Sequence, residues 1–141
     1  MQSVTPDSPE AMARVAIMMM VTDAEVDERE LEMLERMHAF RRLGITKTAF
    51  MREAKHYMGA LGQRMGERPF LRLDDVELID SILDGVRDAG KRLMVARIAA
   101  GLVTADGRVR EIERLVLERM LLRWGLAMSD VTRAIREAPA D

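Results

Sequence analysis

Residues 14–46 slide onto residues 97–129 without a gap, and eleven of the thirty-three positions are identical. Arg14 meets Arg97, Ala16 meets Ala99, Asp23 meets Asp106, Val26 meets Val109, Glu28 meets Glu111 and Glu30 meets Glu113. The match continues with Leu34 on Leu117, Glu35-Arg36-Met37 on Glu118-Arg119-Met120, and Leu43 on Leu126, and Thr46 falls on Ser129. Self-similarity at a fixed offset marks one supersecondary unit used twice. Each copy reads as helix, turn, helix, turn and the start of a third helix. The expectation is an all-α fold: about seven helices in a single bundle, with two three-helix halves joined through a central helix.

The individual helices can be placed from their punctuation. Ser8-Pro9-Glu10 is a helix start, with Ser to cap, Pro at the first helical position and an acid in the first turn. This first helix should run to about Thr22, preceded by a disordered stretch, residues 1–7. Its apolar residues (Met12, Val15 to Met20) cover nearly the whole circumference, which places it inside the bundle. A second helix carries Leu31, Leu34, Met37 and Phe40 or Arg41 on one face, and Leu43-Gly44 ends it because Gly takes the left-handed cap conformation freely. Thr46 caps a third helix, Lys47 to about Leu61, and Gly62, Gly66 and Pro69 mark a main loop over 62–73. Asp74 and Glu77 open a fourth helix whose apolar stripe is Val76, Ile79, Leu83 and Val86. Gly90 separates it from a fifth, as apolar as the first. A sixth spans about Val109 to Arg123, and a seventh runs from Ser129 to about Glu137. The 141 residues suffice for one core and not for two, so residues 1–141 form a single domain.

Composition narrows the function classes. Met is abundant (13) and aromatic residues make up only 4%, so the core is built from aliphatic side chains and thioethers. A formal charge of -2 with acids and bases interspersed creates no field that would gather nucleic acid or an anionic membrane. The absence of Cys removes disulfides, thiolate metal sites and thiol redox chemistry. The N-terminus carries acids where a secretory signal would be basic, and the run Ala11 to Val21 falls short of the roughly 20 residues needed to cross a bilayer. A cytoplasmic protein with no membrane insertion is expected.

The two inter-helix turns carry the chemistry worth weighing. Residues 22–30 read TDAEVDERE, and residues 105–113 read ADGRVREIE. Asp23, Asp27 and Glu30, with Asp106 and Glu113 from the second copy, are candidate oxygen ligands for a hard cation, Ca²⁺ or Mg²⁺. The first turn is the better candidate, because Arg108, Arg110 and Arg114 crowd the second. It is not an EF-hand: counting from Asp23, position six is not Gly and position twelve is Leu34, where a bidentate Glu is needed. The competing reading needs no ion. Acids in a first helical turn satisfy free N–H groups and the dipole, each worth about 0.3–1 kcal/mol, and Asp27 with Glu30 would form a capping box.

The pattern Asp-Gly-x-Val-x-x-x-Glu after a buried, Ala-rich helix, standing here as ADGRVREIE with DAEVDERE as its degenerate partner, resembles the TerB-like family. Tellurite-resistance proteins and the N-terminal domain of DjlA-type co-chaperones belong to that family. The resemblance spans roughly residues 9–138. It implies an all-helical bundle and a bacterial protein linked to tellurite resistance or stress response, and it implies no reaction. The family's Asp falls on Asp106 and Asp23 and its Glu on Glu113 and Glu30, while its Gly is Gly107 in one turn and Ala24 in the other. Tellurite is an oxyanion that an acidic turn repels and that a chain without thiols cannot reduce. The expected role is therefore binding to a protein partner; the alternative is a purely structural domain, or one that forms a homo-oligomer, whose acids only cap helices.

Other features have plainer explanations. RRLGITKTAFMREA has a helix-turn-helix look, but the second half has a turn at the same offset and the charge is wrong for DNA. His38 and His56 have no ligating neighbours in sequence and are expected at the surface or half-buried. The cluster Met18-Met19-Met20 with Met12, Met33 and Met37 reads as core. Trp124 should anchor a helix end or an interface. No nucleophile, base and orienting group assemble, so no enzyme is expected.

Overall fold

The computed structural model describes residues 5–20, 28–65, 76–103 and 111–131. Its helices are α1 (Pro9–Met20), α2 (Glu28–Arg36), α3 (Ala39–Leu43), α4 (Lys47–Met65), α5 (Val76–Leu83), α6 (Ala89–Val103) and α7 (Glu111–Trp124). Residues 128–131 begin a further helix, α8. Among the described residues there is no strand, so the fold is an all-α bundle. No helix among them is long and apolar enough to cross a membrane.

The hub is α1. Every residue from Ala11 to Met20 is buried, as its all-round apolar sequence requires, and it packs against α6 and α4 most heavily and against α3, α5 and α7 as well. Ser8 caps it through Oγ, which accepts from the Ala11 amide at 3.1 Å. The second axial helix is α6, buried from Val95 to Val103 except at the half-buried Arg97, and flanked by α7 and α2. Met12, Met18, Met19, Met20 and Met120 all lie in this core, with Tyr57 and Phe50 of α4 as its largest fully buried side chains. Phe40 meets Phe50 edge to face, centroids 5.1 Å apart.

Several expected boundaries move. The segment 28–43 is two helices, broken at Met37–His38, where His38 takes φ 53 in the left-handed region. Met37 lies over Gly101 of α6 so closely that a Cβ there would sit 2.7 Å from its Sδ. α3 then ends as expected at Gly44 (φ 77), whose amide bonds Arg41 while Ile45 bonds Phe40. Thr46 caps α4 through the Ala49 amide at 3.1 Å, but α4 runs to Met65, so residues 62–65 of the expected loop are helical. Gly62 therefore sits inside the helix and does not end it.

Val76 stands at the start of α5 and is 38% exposed, outside the core stripe in which it was expected; Ile79, Leu83 and Val86 are buried. The break before α6 is residues 84–88 and not Gly90, which sits inside the first turn of α6. Asp88 supplies that cap, accepting from the Lys91 amide at 3.0 Å. Asp7, expected to be disordered, is fastened: its amide donates to Gly85 O at 2.8 Å, and its Oδ1 accepts from Arg87 and Asp88 amides at 2.6 and 3.0 Å. Lys91 Nζ completes the clasp on Asp7 O. The start of α8 is capped by Asp130, which accepts from the Ala127 amide at 3.0 Å, so Ser129 lies within the first turn and is not the cap. The expected helix start at Val109, the cap at Asp74 and the tail of the last helix lie outside the described residues.

Buried Glu30 and Glu113 lie 83 residues apart, as do buried Leu34 and Leu117. The left-handed glycines that end α3 and α7, Gly44 and Gly125, are 81 apart. The same pair of hydrogen bonds closes both: Leu126 bonds Leu121 as Ile45 bonds Phe40, and Gly125 bonds Leu122 as Gly44 bonds Arg41. From the buried glutamate to the glycine cap the first segment is thus two residues longer than the second, and the Met37–His38 break lies within the longer one.

Candidate functional site

Of the five candidate ligands, Glu30 and Glu113 are described; Asp23, Asp27 and Asp106 lie outside the described residues, as does the capping box that Asp27 would form. Glu30 is the third residue of α2 and Glu113 the third of α7. Each is only 2% exposed, and with Arg14 they are the buried charged residues among those described. Neither is without an electrostatic or hydrogen-bonding partner.

Their burial follows from the helix register. In α2 the buried residues are Glu30 and Leu34, four apart on one face, while Glu28, Arg29, Glu32, Glu35 and Arg36 are exposed. In α7 Glu113, Val116, Leu117 and Met120 share the inward face. The same spacing that buries the helix therefore buries one carboxylate at its first turn. Putting an ionised carboxylate inside costs several kcal/mol unless it is compensated. The helix N-terminus, with its free N–H groups, compensates part of that cost.

Glutamate oxygens are the hard donors that Ca²⁺ and Mg²⁺ prefer, but two carboxylates are far short of the six to eight oxygens around Ca²⁺. No cluster of three or more His, Asp or Glu that could hold a metal occurs among the described residues. Any complete coordination shell must draw on the turns themselves. His38 is half-buried and His56 exposed. Arg14, 8% exposed, lies 3.4 Å from Glu53 Oε2 of α4. Its sequence counterpart Arg97 is half-buried, with Nε buried and without a hydrogen-bond partner among the described residues.

The most developed charge network joins α5 to α7, and sequence reading missed it. Arg119 grips Asp80 with both ends of its fork, Nε to Oδ1 at 3.0 Å and Nη2 to Oδ2 at 2.7 Å. Arg123 does the same to Asp84 at 2.7 and 2.8 Å, and its Nη1 stands 3.3 Å from Asp80. Asp80 on α5 and Asp84 just past its end, four residues apart, meet arginines at i, i+4 on α7, which gives bidentate geometry twice. The Arg119 hydrogen bond, then the charges of Arg119 and Arg123, hold the Asp80 carboxyl below its ordinary 3.8; Arg123 lowers Asp84 in the same way. Beside the ladder, Trp124 Nε1 donates to Leu83 O at 3.2 Å and Arg92 lies over the indole, 5.7 Å from its centroid. The i, i+4 signal was present in DDVELIDSILD and LERMLLRW, but each is common on solvated helices.

Between the same two helices runs an open apolar groove of about 240 Å³, lined by Val76, Ile79, Leu115, Val116 and Leu122 with Glu118 and Arg119 at its rim. Leu122 is 75% exposed. Comparison of the chain with known protein families, with curated proteins and with solved structures gives no match.

Proposed function

We propose that this chain is a TerB-like helical module of the stress response that works by binding another protein, and that its acidic turn, Asp23 to Glu30, takes Ca²⁺ or Mg²⁺. The supporting observation is the burial of Glu30 in the first turn of α2, directly after the acid-rich segment. A carboxylate kept from water attracts a cation more strongly than one at the surface, because the medium screens it less. Asp23 and Asp27 would complete the shell from the turn, and Asp106 and Glu113 would join it only if the two turns meet.

The test is thermal unfolding of the chelator-treated protein with Ca²⁺ or Mg²⁺. A ligand that binds only the folded state stabilises it by about 2.7 kcal/mol at a hundred times its dissociation constant, so the melting temperature should rise with ion concentration. Asp23→Asn with Glu30→Gln should abolish that rise. A rise of equal size in the double variant would remove the turn from consideration.

The structural alternative has its own observation. Ser8, Thr46, Asp88 and Asp130 each bond a backbone amide at the start of a helix. A chain that caps this many helices with side chains could use Asp27 and Glu30 the same way. No ion response in the wild-type protein would favour it.

A further inference from the structure

The break at Met37–His38 sets local preference against packing. From Glu28 to Leu43 the sequence contains neither Gly nor Pro, and nothing in it forbids one continuous helix. Instead the i to i−4 series is interrupted. His38 donates to Glu35 O, three residues back, and takes φ 53, a conformation that its Cβ disfavours. The corresponding stretch of the second half, α7, runs unbroken from Glu111 to Trp124.

The two sides of the break are held differently. α3 is fixed by the buried Ala39 and Leu43, by Phe40 against Phe50, and by the Gly44 cap. α2 reaches the bundle through α3 and α6, with Glu30 and Leu34 as its buried residues and Met37 resting on Gly101 at its C-terminal end. Lys47 Nζ to Glu35 Oε1, 2.6 Å, is an exposed pair and adds little. Strain of this kind persists only where surrounding contacts over-determine it, and segments that carry it are where proteins switch.

The geometry points to a two-state element: α2–α3 exists as a bent form docked on α6 and as a straight helix that swings α2 off α6, with Met37–His38 as the pivot. Straightening removes the left-handed residue, lifts Met37 from Gly101 and carries Glu30 out of the bundle. α3 stays in place. The inference does not depend on any ion, since both forms follow from the backbone at His38 and the contact at Gly101.

The absence of native Cys makes the test direct. Nitroxide labels on Glu32→Cys and Lys55→Cys, both exposed and on α2 and α4, report the distance between the arm and the body. Pulsed electron resonance should resolve two distances in the wild-type background. His38→Ala, which favours the straight helix, should raise the second population by about fivefold, the change that about 1 kcal/mol produces. His38→Gly, which removes the left-handed penalty, should lower it. A single distance, identical in His38→Ala and His38→Gly, would overturn the proposal.

Discussion

Phe50 and Leu122 bracket what one apolar side chain is worth in this protein. Phe50 is 0% exposed and Leu122 75% exposed. Phe50→Ala should cost about 3–5 kcal/mol, lost transfer energy plus a cavity, whereas Leu122→Ala should change stability by less than about 0.5 kcal/mol. Urea unfolding of both variants checks this. At the same scale, Asp80, Asp84 and Asp7 have folded-state pKa values below the ordinary 3.8, so each contributes stability that is complete above that value and lost as pH falls through the lower folded value. Asp7 owes its shift first to the Asp88 amide, then to that of Arg87. Stability should therefore fall on acidification below about pH 4, and Asp80→Asn should flatten that fall when urea midpoints are compared across pH. An unchanged slope would mean that the ladder does not form in solution. Such partners were illegible in sequence. Ser8 and Thr46 act on amides three residues away, while Arg119 chooses an acid 39 residues back.

Helices were legible where their signals are local. Pro9, Thr46 and Gly44 set boundaries that the structure keeps, and Thr46→Ala should cost about 0.5–2 kcal/mol through the loss of the α4 cap, measurable as a lowered melting temperature. Boundaries set by packing were not legible. Nothing in Glu28 to Leu43 announces a break, and the residue that Met37 packs on there, Gly101 of α6, is distant in sequence. Of the five candidate ligands only Glu30 and Glu113 are described. Helical spacing gives Glu30 and Glu113 their inward direction, but what gathers around a carboxylate depends on turns brought together in space.

For the molecule as a whole, the methionines give an internal map of burial. Met12, Met18, Met19, Met20 and Met120 are buried, and Met128 is 43% exposed. Dilute peroxide should oxidise Met128 well before Met18, Met19 and Met20, and peptide mass spectrometry of timed samples would show the order. Early oxidation of the α1 methionines would mean that α1 is not the buried hub. That hub also has a consequence for synthesis. α1 emerges from the ribosome well before α6, against which it packs most heavily and which is complete only at residue 103. At about 5–20 residues per second the apolar first helix waits for several seconds with α4 as the main partner already made. During translation the helix that ends up buried along its whole length thus lacks one of its two main packing partners until α6 is made.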